Sequence, residues 1–504
     1  MSILNHTARA GRWLLAAFVA FAPFGCARVA HGQTAAQLWS NNCVSCHGQN
    51  AQGGNASSML DDEWLTGPTD RNLFDATKHG IVESGMPAYG GALTDEQIWS
   101  LVVHIRELRA ANERARTGSP KPDRDGVYTT AHEWFRVERV ITRGLDTPWS
   151  VDFVPAAGPE GSPSGVMLVT SRSGALHVWS GESLSPPVAG VPAVRNRGQG
   201  GLMDVAVHPE YHSNGWVYLT FSDAQGSGSR SPGFTKVVRG RIKGEGSMWR
   251  WTDEETIFEA KSEHYSNGDI HFGSRIVFER ASINGAEPAW LVYFCMGERG
   301  VMDLAQRLDR PNGKIFRFHD DGRIPADNPF VGQRGVYEAI WSYGHRNPQG
   351  LTFGLDGRLW DTEHGPRGGD ELNLVQRGKN YGWPLVSFGI NYSDAPFRTP
   401  WPTEGQDFVM PVYVWLPSIA VCGLDTVRAG PDGEAFPAWS GDLVAGGLAG
   451  QTVERLRIEG ESVVEREELI HGMGRVRDVV TGPDGSIYVV LNQPDHVIRL
   501  VPAK

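Results

Sequence analysis

Beyond Trp134 apolar residues alternate with polar ones, the period-two pattern of strands with one buried face. Six stretches run a short apolar strand into a turn: Trp149–Pro155, Asp204–Pro209, Ser274–Phe278, Gln349–Gly357, Leu424–Gly433 and Asp478–Gly485. One unit repeated six times predicts a six-bladed β-propeller over residues 134–504, each blade a small antiparallel sheet with protected edges. A pair of packed sheets is the alternative, and six recurring copies argue against it.

Upstream the period changes. Residues 33–111 read as a small all-α domain, with a helix from Ala35 to Asn42. A second helix opens on Thr94-Asp95-Glu96-Gln97, a capping box in which Thr94 caps the helix and Gln97 reaches back. Behind it Ile98, Leu101, Val102, Ile105 and Leu108 recur at helical spacing, the face expected to pack inward. Residues 112–133 are polar, charged and Pro-containing, and read as a linker. The expected fold class is therefore mainly β, a propeller with a small helical domain at its N-terminus.

Residues 1–32 read as an export leader. Arg9 and Arg12 precede the apolar run Trp13–Phe24, which is too short to span a bilayer, and Ala30-His31-Gly32 offers a cleavage site before Gln33. Cys26 follows Pro23 and Phe24, a poor context for lipid attachment, so no lipid anchor is expected. No later stretch is long and apolar enough for a membrane-spanning helix.

Composition adds limits. The 62 glycines, 31 prolines and 17 tryptophans in 504 residues suit short strands and many turns. A net charge of -11 without a basic run makes nucleic acid an unlikely partner class. It is compatible with a small neutral substrate or a basic redox partner. Of five cysteines, Cys295 and Cys422 lie in apolar strands and read as buried thiols.

Cys43-Val44-Ser45-Cys46-His47 is a C-x-x-C-H box, the attachment signature of a c-type haem: Cys43 and Cys46 bond the vinyl groups and His47 ligates iron. Such attachment takes place in an exported compartment, so box and leader agree on the periplasm. Met86, in Gly85-Met86-Pro87, is placed as the second axial ligand, with Met59 and then His79 as competitors. The segment resembles a class I mono-haem cytochrome c.

Dense polar clusters stand where the inner strands begin: Gly198–Leu202, His271–Arg275, Tyr343–Gly350, Glu363–Glu371 with Asn380–Pro384, and Gly474–Asp478. Arg475 and Arg477, two apart on a strand, share one side and suit a polyanion with carboxylates. In combination, H-F-G-S-R, H-R-N-P-Q-G and E-H-G-P with its following D-E resemble the glucose/sorbosone dehydrogenase family over residues 134–502. Members include soluble quinoprotein glucose dehydrogenases and aldose sugar dehydrogenases, which use pyrroloquinoline quinone with calcium.

The resemblance implies roles residue by residue. His271 would be the base for the sugar's anomeric hydroxyl, with Arg346 beside the quinone oxygen that gains charge. Asn347 and Gln199 would contact cofactor or substrate, while Arg475 and Arg477 clamp the cofactor's carboxylates. Carbonyls of Gly365 and Pro366 would ligate an active-site calcium; Glu371, Tyr381 and Asp370 match a structural calcium site. Two positions depart from the glucose-dehydrogenase branch: Ile270 stands where an Asp precedes the histidine, and Ala449 where a Lys meets the cofactor.

The expectation is a periplasmic quinohaemoprotein. It oxidises an aldose or related hydroxy compound, passes electrons to the fused haem, and hands them to an external acceptor. The tether alone would raise the haem's effective concentration near the quinone without a high-affinity interface. The alternatives are a cytochrome carrying a non-catalytic propeller that only binds, and a metal-dependent lactonase. The run Ser222–Gly226 is a candidate substrate loop.

Overall fold

The computed structural model describes residues 32–155, 165–226, 231–245 and 248–503. The expected leader, with Cys26, lies outside them apart from Gly32. From Gln33 onward the chain is one compact unit.

The helical part comprises α1 (Ala35–Asn42), α2 (Val44–His47), α3 (Asp70–His79) and α4 (Asp95–Thr117). Three of these start on capping boxes: Thr34 with Gln37, Thr69 with Asn72, and the predicted pair Thr94 with Gln97. Each box satisfies two amide donors that a helix start leaves free. Leu38 and Trp39 of α1, Leu73 and Phe74 of α3, and Ile98, Leu101, Val102 and Ile105 of α4 form the core. Leu108, last of the expected stripe, is only partly buried.

The span expected as a linker is structured at both ends. Helix α4 continues to Thr117, and β1 (Val127–Thr129) pairs antiparallel with β2 (Trp134–Ile141). Ala111-Asn112-Glu113-Arg114-Ala115-Arg116 contains good helix formers. This last stretch of α4 is exposed and shows no apolar stripe, so its pattern resembles a polar connector. The helix stops at Gly118, whose φ of 73° is a left-handed conformation.

Among the described residues the strands form six sheets around an axis. Their inner strands are Pro148–Phe153, Leu202–Val207, Ile276–Ala281, Pro348–Phe353, Val421–Thr426 and Arg475–Thr481, the repeat copies read from the pattern. They open blades 1 to 6. Blade 6 is closed from the other end of the domain: β2 pairs with the last strand, from Phe135↔Pro502 to Ile141↔Val497. The ring is thereby sealed by sheet hydrogen bonds, and blade 6 is not left with an open edge there. Ser222 and Asp223 belong to the blade 2 strand Trp216–Ala224, so the run proposed as a loop begins on a strand.

Arg275 holds the axis together. Its guanidinium meets Asp204 at 2.7 Å and Asp478 at 2.7 Å, three side chains almost wholly buried. Burial disfavours the Arg275 charge, yet the two aspartates outweigh it and hold the group protonated. Asp204 also accepts from the Ile276 amide, and Asp478 from that of Val151, so one buried cluster ties blades 1, 2, 3 and 6.

Candidate functional site

A cavity of about 360 Å³ opens where the inner strands begin. Its lining includes Arg172, Gln199, Asn347, His364, Arg475 and Arg477. Four of the expected cofactor contacts thus line one cavity. Arg172, which follows the second strand of blade 1, was not anticipated; a single arginine after an apolar strand carries no distinctive sequence signal.

Charge sets the character of this cavity. Among the described residues no carboxylate pairs with Arg172, Arg346, Arg475 or Arg477. The Nε atoms of Arg172, Arg346 and Arg477 and Nε2 of His364 are buried with no hydrogen-bond partner. Burial lowers the Arg477 pKa, and Arg475 and Arg172 lower it further; its nearest relief is Cys422 Sγ at 3.7 Å. Burial also drives His364 down to about 3, with Arg346 and His271 adding to the effect, so its imidazole is neutral. Asp495 also lines the cavity, but its carboxylate accepts from the Thr147 and Gln493 amides; converging cations that no carboxylate pairs are costly unless an anion arrives. A rigid polycarboxylate fits; a neutral ligand alone does not.

His271 sits in irregular backbone ahead of the strand that starts at Ile276. Its φ is 54°, followed by 68° at Gly273 and 134° at Ser274. A side chain at Gly273 would run into Cys295 O and Met296 Cα, both at 2.6 Å, which fixes glycine there. Such conformations persist only where surrounding contacts impose them. Here the His271 amide donates to Gln199 Oε1 at 2.7 Å, and the Asn347 side chain accepts from the Gly273 amide at 3.2 Å. Nδ1 of His271 is hydrogen-bonded to Glu298 Oε1. Burial lowers the His271 pKa, Glu298 opposes that shift, and Arg346 reinforces it. The result is a neutral imidazole with one nitrogen committed and Nε2 available.

Glu298 was missed by sequence reasoning because it follows an ordinary apolar strand, Ala289–Met296. Ile270 is 41% exposed, and its carbonyl is held by Arg299. The acid in this region stands one place earlier: Asp269 is paired with Arg195 at 2.7 Å and Arg197 at 2.9 Å. Ala449 lies on an exposed turn of blade 5 and brings no cation to the cavity.

Beyond His364 the loop Gly365–Gly369 leads to a void of about 10 Å³, room for one ion or water. Arg346, Glu363, Gly365, Pro366, Glu371 and Tyr381 are among the residues around it. Ligand atoms of His345, Asp361 and Glu363 lie within 4.8 Å of one another, all three residues buried. Burial pushes the Asp361 and Glu371 carboxyls far up, and the nearby Glu363 pushes both further. Both Asp361 oxygens and Asn373 Oδ1 lack partners. Crowded hard oxygens of this kind suit calcium. Asp361 was missed, although Asp361 and Glu363 are two apart on a strand and so share a face.

Two expected ligands also have structural side-chain bonds. The Asp370 carboxylate accepts from the Gly365 amide at 3.0 Å and the Val421 amide at 3.0 Å, and so braces the loop. The Tyr381 hydroxyl donates to Leu374 O and accepts from the Gln376 amide, while its ring stacks on His345 at 4.4 Å. Tyr392, absent from the sequence expectation, brings its hydroxyl to 3.5 Å from Arg346 Nη2.

In the helical part Cys43 and Cys46 are free thiols at the start and third residue of one short turn, ahead of His47. Burial pushes the Cys43 thiol up to about 12 and lowers the His47 pKa. Two thiols and an imidazole within five residues provide the donor set a covalent haem needs. Met86 lies in a turn bridged to Ile81, whereas Met59 packs into the cluster containing Cys43 and Val44.

Residues 145–499 match the glucose/sorbosone dehydrogenase family model, and residues 30–105 match that of the cbb3-type cytochrome c oxidase subunit III. Aldose sugar dehydrogenase YliI of Escherichia coli (strain K12) is 38% identical over 360 residues, 70% of this chain and 89% of that protein. A crystal structure of the soluble aldose sugar dehydrogenase from Escherichia coli, in the apo-form, has a TM-score of 0.62 at 35% identity, covering 73% of this chain and 100% of that one. The PQQ-bound aldose sugar dehydrogenase of Streptomyces coelicolor gives 0.55 at 26% identity, covering 73% and 98%. A propeller whose inner-strand entrances carry an arginine-lined cavity and a strained histidine, preceded by a c-type cytochrome domain, thus belongs to the glucose/sorbosone dehydrogenase family.

Proposed function

We propose that this protein is an exported quinohaemoprotein that oxidises an aldose sugar and delivers the electrons to its own haem. The observation that carries the reading is the arginine-rich cavity, whose arginines no carboxylate pairs among the described residues, set beside His271 and Glu298. Pyrroloquinoline quinone held there with calcium would supply the hydride acceptor. Arg475, Arg477 and Arg172 bind its carboxylates, Arg172 making good the cation that Ala449 does not bring. Asn347 and Gln199 orient cofactor and sugar.

His271 takes the anomeric proton at Nε2, since Glu298 holds Nδ1 and so selects the tautomer. Arg346 would stabilise the negative charge gained by the hydride acceptor. The carbonyls of Gly365 and Pro366 would hold the active-site calcium. Glu371 and Tyr381, with Glu363, Asp361 and His345, would hold a structural one. Cys43 and Cys46 would carry the haem, with His47 and Met86 as its iron ligands. An exported location agrees with the leader and the haem box; among the described residues no helix is long and apolar enough to cross a membrane.

An anaerobic titration tests this. Oxidised haem-loaded protein is given calcium, pyrroloquinoline quinone and a panel of aldoses while the haem spectrum is followed. Reduction that needs all three components, and that His271→Ala abolishes, is the expected result. A haem that dithionite reduces but no sugar does, in a protein that binds no quinone at equilibrium dialysis, identifies a cytochrome with a binding propeller. Sugar-lactone hydrolysis without haem reduction identifies a lactonase.

A further inference from the structure

The expected tether would leave the haem domain free to reorient. The structure shows a built junction instead, and it lies on the back of the loop that borders the small void beyond His364. Two segments make this wall: Gly365–Gly369 and Phe388–Asp394. They are joined by a backbone pair, Arg367 N to Ile390 O at 3.0 Å and Ile390 N to Arg367 O at 2.8 Å. They are also packed without room for a side chain, since a Cβ on Gly389 would lie 2.3 Å from Gly368 O.

On its inner side the wall presents Gly365 and Pro366 to the small void and Tyr392 to Arg346. On its outer side it meets the helical domain. Arg367 makes a two-pronged ion pair with Glu107 of α4, at 3.0 and 2.8 Å, and a third bond to Asp394 at 2.8 Å. Asp394 in turn caps α1 from across the junction: its carbonyl accepts from the Ala35 amide at 2.8 Å and its carboxylate from the Ala36 amide at 3.2 Å. Those amides are helix-start donors that have no partner within their own helix. Trp99 donates to Phe388 O at 3.2 Å and stacks edge-on against Trp401, and Ile390 is wholly buried in the helical domain's core. A second ionic contact, Arg114 with Glu468 at 2.7 Å, pins the far end of α4.

We infer that this two-loop wall is the electron exit of the propeller, with the haem domain docked against it in a fixed orientation. The inference rests on the sugar-oxidation reading above and adds the route and the partner surface. One oxidation of an anomeric alcohol to a lactone releases two electrons and two protons. Two successive one-electron deliveries across the wall to ferric haem close the balance, each followed by loss of that electron to a one-electron external acceptor. The protons pass to water. Fixed docking removes the orientational search that a free tether imposes on each delivery.

The test uses the haem-loaded protein supplied with quinone and calcium, as wild type and as the double variant Glu107→Arg/Arg114→Glu. This variant reverses charge at both ionic contacts without touching the cavity. Stopped-flow haem reduction by sugar is compared with reduction of a dye that takes electrons directly from the propeller. Amide exchange at Ala35, Ala36 and Ile390 is measured in parallel. Haem reduction at least ~10-fold slower in the variant, unchanged dye reduction and lost protection at these amides are expected. An unchanged haem rate despite lost protection overturns the proposal, as does a wild type whose Ala35 and Ala36 amides exchange unprotected. Should the dye also stay oxidised with wild type, sugar oxidation is what has failed. Protected Ala35 and Ala36 amides then still uphold the docked wall, and unprotected ones overturn it.

Discussion

Glu298 Oε1 is hydrogen-bonded to His271 Nδ1 in a setting where Glu298 is 1% exposed and the imidazole is buried beside Arg346. The carboxylate counters three influences that lower the imidazole pKa: burial, Arg346 and Arg299. Glu298→Gln removes a charge that favours the protonated ring. The acidic limb of the kcat/KM profile is therefore expected at lower pH than in wild type. With the tautomer no longer enforced, kcat is expected to drop on the order of 10²-fold with KM nearly unchanged. A pH profile of both variants checks the sign; a limb that moves upward contradicts the assigned role.

The cavity arginines are expected to act on cofactor affinity rather than on folding. Arg477→Ala deletes one charge-assisted bond, about 1.5–3 kcal/mol, or roughly 10–150-fold in the dissociation constant. Equilibrium dialysis against pyrroloquinoline quinone measures it directly. Because Arg477 is buried without a counter-charge, the cofactor-free variant should unfold at a temperature no lower than wild type. A large drop in that temperature, with affinity unchanged, would assign Arg477 to the core instead.

The carboxylate cluster makes a prediction with two opposite signs. In metal-free protein Asp361→Asn relieves repulsion with Glu363 and is expected to raise the melting temperature. In the presence of calcium the order reverses, since wild type gains about 2.7 kcal/mol at a hundredfold excess over its dissociation constant and the variant gains little. Thermal melts with chelator and with calcium decide it. Equal calcium shifts in both proteins would place the ion elsewhere.

Asp152 offers a pH test away from any metal. Burial raises its carboxyl to about 7, against the amides of Val207 and Phe153, which favour the charged form. The folded state thus holds a proton that the unfolded chain has released above its ordinary value of 3.8. This contribution is fully present below pH 3.8 and is lost as pH rises through about 7. Asp152→Asn lacks the titration. Its unfolding free energy relative to wild type should therefore rise between pH 4 and 8, by up to about 4 kcal/mol. Paired denaturation curves across that range test this; a constant difference would mean that Asp152 is ionised in the fold.

Much of this molecule was legible before any coordinates. The six inner strands followed from a repeated period-two pattern, because a blade buries its faces only by stacking on neighbours and so each copy needs the same alternation. The helix boundary at Thr94 followed from local capping chemistry, and the haem box from covalent chemistry within five residues. His271, Arg346, Asn347, Arg475 and Arg477 stood out because polar clusters at strand starts serve no packing purpose. What these features share is that cause and signal lie within a few residues of each other.

Tertiary structure alone decided the rest. Glu298, Asp361 and Arg172 look ordinary in sequence and acquire meaning only from what the fold sets against them: a histidine, a crowded carboxylate pair, two more unpaired arginines. Asp370 carries the expected residue type, but loop geometry commits its oxygens to backbone amides. The end of α4 has no apolar stripe because it faces solvent, so a helix resembled a linker. The contact between the helical domain and the propeller had no sequence signature at all. Arg367 and Glu107 lie 260 positions apart. Non-local pairs of this kind are set by how the blades and helices pack, and neither residue's own neighbours in the chain reveal the other.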